Sequence, residues 1–175
     1  MLHRGSDEQA ILSGLDRLVR QRAARRVLDA VAERVETNLE ADPSSVLAWE
    51  PVSLSVYERP VPEGIRSSWV FALRANSVSG AERHPNSIQR VMSYRGCADL
   101  QAMPSDRWIS HRLVSRESAT LEERWLSIPA GVWHQGVMGA DNWVVVSFHT
   151  VYAEDLIEER PSSGSGHALA RRYIA

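Results

Sequence analysis

The sequence predicts a mainly β protein, a sandwich or barrel of short strands preceded by a long α-helical segment. Three observations predict it. The stretches 46–59, 69–79, 90–101, 108–116, 124–128 and 142–150 are rich in β-branched or aromatic residues, and Pro, Gly, Asn, Asp or Ser bounds each one. Side chains alternate along them: Trp69, Phe71, Leu73 and Ala75 share one face, and Trp143, Val145, Ser147 and His149 oppose Val144, Val146 and Phe148. Residues 6–41 instead carry apolar side chains at helical intervals and contain no proline.

Taken in order, the helical segment begins at Ser6, which with Gln9 has the spacing of a capping box. Ile11, Leu12, Leu15, Leu18 and Val19 form a first apolar set, and Val27, Leu28, Val31 and Val35 a second. Residues 21–26 interrupt the stripe, so a bent helix and two helices both fit. The stripe is expected to cover the barrel or a second subunit, and the latter use points to a homodimer. Arg20, Arg22, Arg25 and Arg26, followed by Glu33, Glu36 and Glu40, read as a solvated face of mixed charge. The pattern changes at Asp42-Pro43-Ser44-Ser45, where the strands begin. Residues 153–161 fit a final edge strand or a helical turn, Ser162 to Gly166 has linker composition, and the end is expected to fray or to dock on a partner. The division is a helical extension over 1–42, a β-barrel over 43–161 and a flexible tail over 162–175.

Composition bounds the function. At 175 residues, 43% hydrophobic and 24% charged, the chain can bury one sizeable core. A formal net charge of −2 and a pI near 6.3 provide no global attraction to nucleic acid or to an anionic membrane surface. The single Cys97 excludes an intramolecular disulfide framework and reads as a small buried strand residue. No window is long and apolar enough to span a bilayer, and the first residues lack the apolar core of a signal peptide, so a cytoplasmic setting is expected. Ser-His-Asp spacing, phosphate-cradling glycine loops and dinucleotide fingerprints are absent from the sequence.

The chemistry concentrates in two stretches. Residues 82–96 carry Glu82-x-His84, then four residues, Gln89, then six residues, Gly96. Downstream, Pro129-x-Gly131 is followed after two residues by His134. Glu82 and His84 lie on the same face of an extended chain, and Pro85-Asn86-Ser87 supplies a turn that brings Gln89 back alongside them. An alternative register, His84-x-Asn86, puts Arg90 where an acid would stand.

Over about residues 46–150 these two stretches resemble the paired motifs of the cupins, of the small single-domain, RmlC-like kind. Glu82 stands at the usual first histidine, Gln89 at the glutamate, Met138 at the closing asparagine, and Asn76 and Glu123 at the leading glycines. The resemblance implies a double-stranded β-helix, jelly-roll-like barrel with a site in its mouth that often holds one divalent metal. Two imidazoles and a carboxylate suit iron, manganese, nickel, cobalt or zinc. Glu82, His84 and His134 supply that set, with Gln89 as a neutral fourth ligand or as a group orienting a histidine or water.

Arg90, Tyr94, His111, Trp133 and His149 are further candidates for a substrate pocket, with strand packing as the alternative for each. Two functional classes follow. One is a metal-dependent enzyme acting on a small organic molecule, by dioxygenase-type chemistry first and isomerase or lyase chemistry next. The other is a non-catalytic module that binds or senses a small molecule.

Overall fold

The protein is described from a computed structural model, over residues 6–162 and 168–174. The helical segment is two helices, α1 (Ser6–Val19) and α2 (Arg22–Ala41). Gln21 N–H donates to the Leu18 carbonyl at 3.1 Å, a three-residue turn that tightens the end of α1 and separates the helices. The Ser6 side chain lies outside the described residues, and the expected capping box with it. Leu12, Leu15 and Leu18 on α1 and Leu28, Val31, Val35 and Leu39 on α2 are buried, whereas Val27, expected in the same stripe, is 40% exposed. It sits one position off the stripe that Leu28 leads.

The barrel is wholly antiparallel. Strands β1 (Leu47–Val52), β2 (Ser67–Leu73), β3 (Gln89–Arg95), β6 (Trp125–Ile128) and β8 (Trp143–His149) form one sheet in the order β1-β2-β8-β3-β6. Strands β4 (Cys97–Met103), β5 (Ile109–Val114) and β7 (Trp133–Met138) form a second in the order β5-β4-β7. A third pairing joins β9 (Ile157–Pro161) to β10 (Ala168–Arg172). Residues 153–161 therefore supply both a helical turn, over Ala153–Asp155, and a strand. Part of the segment whose composition reads as a free tail is paired, and residues 163–167 of the linker-like run lie outside the described residues.

Gly96 explains why the stretch 90–101 is two strands. Its φ is 78°, and a Cβ there would lie 2.7 Å from the Asn142 carbonyl oxygen. Only glycine fits both the left-handed turn and that approach. β7 was not among the predicted strands, because Gly136 interrupts its alternation and a Pro-Gly turn opens it.

Every residue of β2 and β8 is buried, which an antiparallel strand achieves only when both its faces are covered. Val70, Ala72, Val144, Val146 and Phe148 pack outward under α1 and α2, and Trp69, Phe71, Trp143 and Val145 fill the barrel. The helical stripe thus covers the barrel. Polar contacts fasten it: Asp16 accepts from the Trp125 indole at 2.9 Å and from Arg124 of the one-turn helix α3 (Leu121–Arg124), and Glu8 accepts two hydrogen bonds from Arg90 at 2.7 and 2.8 Å. Among the described residues no helix is long and apolar enough to cross a membrane.

Leu28 is fully buried between helix and sheet. Leu28→Ala is expected to cost about 2–5 kcal/mol in urea unfolding; a loss below about 0.5 kcal/mol, typical of a surface substitution, would refute this packing.

Candidate metal centre

Two backbone hydrogen bonds create the site. Glu82 N–H donates to the His134 carbonyl at 2.9 Å and His134 N–H to the Glu82 carbonyl at 2.8 Å, so the two residues face each other directly across a bridge flanking β7. Their side chains share a face. His84, two residues on, returns to that face, and its carbonyl accepts from Gly131 N–H at 2.9 Å, tying the first motif to the Pro129–Gly131 turn. Gln89 opens β3 opposite His149 of β8 and is 7% exposed.

One ligand atom each from Glu82, His84 and His134 lies within 4.8 Å of the others. His84 Nδ1 stands 3.0 Å from the Ile157 carbonyl and His134 Nδ1 3.1 Å from the Val132 carbonyl. A carbonyl oxygen only accepts, so both Nδ1 atoms carry protons, and in the neutral form of either ring the lone pair is on Nε2. His134 Nε2, 3.6 Å from Glu82 Oε1, and Gln89 Oε1 are buried with no hydrogen-bond partner. Burial raises the Glu82 carboxyl, but His134, His84 and Arg160 beside it outweigh burial and hold it below the usual carboxylate range. Burial pushes His84 down, with His134 adding to the shift, and drives fully enclosed His149 well below the imidazole value. The cluster thus sets an ionised carboxylate beside two imidazoles, residue types that bind a metal once deprotonated.

The other candidates divide by strand parity. Gln89 points inward, so Arg90 points outward, where its guanidinium grips Glu8; Tyr94 likewise donates its hydroxyl to Asp29 of α2 at 2.8 Å. Both belong to the helix–barrel seam and not to the pocket. Trp133 flanks inward His134 and lies under the Arg83 guanidinium at 4.6 Å, away from the cavity. His111 pairs with Leu100 across β4 and β5 and is not a lining residue. His149 does reach the site, its ring 5.1 Å from that of His84.

A narrow cavity, partly open to solvent, adjoins the cluster. Glu82, Gln89 and His134 give it a polar end, and Phe71, Leu100 and Trp143 an apolar body. Residues from the chain's end complete it. Arg160 of β9 donates to Glu82 Oε2 at 2.7 Å and to Glu158, which is wholly buried and also accepts from Arg171. Tyr173 lines the cavity, its ring 5.4 Å from Trp49, 5.7 Å from Trp69 and 6.3 Å from His84. Arg83, the neighbour of Glu82 in the chain, pairs with Glu159, and the partner of Glu82 is a residue 78 positions away.

The two antiparallel sheets closed around a cavity, with its polar end built by two paired turns, make the protein a β-barrel preceded by helices, as the sequence predicts. No family model matches the chain, and no curated protein matches it. Among solved structures it is similar to an oxalate oxidase in complex with the substrate analogue glycolate, at 15% identity over 62% of this chain and 54% of that one, with a TM-score of 0.47. It is also similar to KdgF from Halomonas sp., at 13% identity over 63% of this chain and 85% of that one (TM-score 0.43). A third is procruciferin, an 11S globulin from Brassica napus, at 15% identity over 61% of this chain and 26% of that one (TM-score 0.45). The chain spans about half the length of the oxalate oxidase it matches.

Two outcomes follow from this geometry. Removing residues 162–175 takes away Tyr173, so dye binding to exposed apolar surface should rise while the far-ultraviolet β signal persists; unchanged dye binding would show that Tyr173 does not cover the cavity. Stability should also fall with pH. The unfolded chain takes up protons on histidine near pH 6.5, whereas His84 and His149 resist them when folded. The loss begins at about pH 6.5 and continues down to the folded values, and urea midpoints should show a shallower decline in His149→Asn.

Proposed function

We propose that the protein is a metal-dependent cupin enzyme acting on a small organic molecule, with Glu82, His84 and His134 holding one divalent ion and Gln89 as a neutral fourth donor. One observation carries this reading. Both imidazoles commit Nδ1 to backbone carbonyls, and two buried atoms of residues lining the cavity, His134 Nε2 and Gln89 Oε1, have no hydrogen-bond partner. Leaving a buried acceptor unsatisfied costs about 1–3 kcal/mol, and a cation at the point of convergence removes that cost. Nitrogen and oxygen donors of this kind suit iron, manganese, nickel, cobalt or zinc.

When bound, such an ion supplies Lewis acidity, or a centre for dioxygen chemistry if it is iron. The chain's own residues do the rest. Arg160 holds one Glu82 oxygen and leaves the other toward His134. The wall of Phe71, Leu100 and Trp143 desolvates an apolar substrate body against the polar end, and Tyr173 shields it from water. The ligand set favours dioxygenase-type chemistry, with isomerase or lyase chemistry next. A non-catalytic binding or sensing module is the second reading, supported by Arg160 occupying a Glu82 oxygen and by the neutral Gln89.

The test is elemental analysis of protein purified without a chelator or a metal-affinity step. About one equivalent of a divalent ion is expected, lost in His134→Ala while the circular dichroism of the barrel is kept. Failure to load any of the five ions would overturn the enzyme reading in favour of the binding module.

A further inference from the structure

Gln89 raises a question of orientation that a glutamate in its place would not. A carboxylate has two equivalent oxygens, but a primary amide has one acceptor and one donor group, and only its oxygen can face a cation. Something must decide which end of the side chain points at the cavity.

A buried chain of polar groups behind Gln89 makes that decision. Thr150 N–H donates to Ser87 Oγ at 3.0 Å, and the Ser87 hydroxyl donates its own proton to the Ile88 carbonyl at 3.0 Å. With that proton committed, Ser87 Oγ faces both Thr150 Oγ1, 3.4 Å away, and His149 Nδ1, 3.3 Å away, only as an acceptor. Nδ1 therefore carries the ring proton, and Nε2 accepts from the Ser147 hydroxyl at 3.0 Å. Ser147 Oγ, its proton used, accepts from Gln89 Nε2 at 3.2 Å. Each step leaves the next one direction. The last turns Gln89 Oε1, buried and otherwise without a partner, to the cavity. Ser147 and His149 are wholly buried and Ser87 is 1% exposed, so water does not compete for these bonds.

We infer that Ser87, His149 and Ser147 form a one-way hydrogen-bond chain that turns the Gln89 carbonyl toward the metal centre, which makes Ser147 and His149 positioning residues for a neutral fourth ligand. This rests on the metal reading above. His149, beside the His84 ring, then acts through Gln89 and not as a ligand.

The test is a double-mutant cycle read by titrating metal-free protein with Co²⁺, whose visible absorption reports its ligands. Ser147→Ala should weaken Co²⁺ binding about 10- to 100-fold, the usual effect of losing a group that orients a ligand. Ser147→Thr keeps the hydroxyl and should restore most of the affinity. In a Gln89→Glu background either oxygen can serve, so adding Ser147→Ala should change the affinity by no more than about twofold. Equal losses in both backgrounds would overturn the inference, because Ser147 would then act only on the fold.

A second measurement needs neither metal nor the variants. In ¹⁵N-labelled metal-free protein the Gln89 side-chain amide protons should be protected from exchange. Exchange as fast as that of an exposed glutamine overturns the orientation; protection in a protein that binds no Co²⁺ upholds the orientation and overturns the metal reading alone.

Discussion

The site depends on the pair of backbone hydrogen bonds between Glu82 and His134. They lock a chain segment without regular strand structure to the edge of β7, in a register that faces the carboxylate to the imidazole. A slip of one residue would turn Arg83 or Trp133 inward and send both ligands to the surface. The Pro129–Gly131 turn guards against that slip: Gly131, with φ of 76°, donates its N–H to the His84 carbonyl. The same contact thus sets the height of His84 and the start of β7.

The helices impose a second constraint. Because α1 and α2 cover the outer face of the five-stranded sheet, its central strands cannot tolerate exposure on either side, and polar side chains there need partners of their own. Arg90 finds Glu8, Tyr94 finds Asp29, and Ser68 finds the Tyr57 hydroxyl at 2.7 Å. On the inward face Ser147, Ser87 and His149 satisfy one another. These polar residues of the five-stranded sheet therefore sort into two separate sets with a single layer of sheet between them, one beneath the helices and the other toward the cavity.

Much of this was legible in the chain. Motif spacing brought Glu82, His84, Gln89 and His134 into one group, and two-residue alternation along 143–149 put Ser147 and His149 on the face that proves to be inward. The same alternation, applied to Gln89, would have sent Arg90 outward; its charge drew attention as an anion binder, and parity is the stronger argument. Tyr94 follows Arg90 for the same reason. What was not legible arrives from far along the chain. Arg160, Ile157 and Tyr173 meet the site only because β9 folds back across the barrel mouth, and no local pattern in 153–175 encodes that return. The short polar run before β10 reads as a linker on composition alone, since nothing local reveals that Tyr173 will find an aromatic wall of Trp49, Trp69 and Phe71.

The way β10 is attached has a kinetic consequence. Its residues 169–172 are exposed, and its hold on the barrel comes from pairing with β9, the Arg171–Glu158 contact and the aromatic anchor at Tyr173. Few buried contacts within β10 mean that it opens at a free-energy cost well below that of unfolding the barrel. Backbone amides of residues 169–172 are then expected to exchange with solvent well ahead of those of β2 and β8, whose every residue is buried.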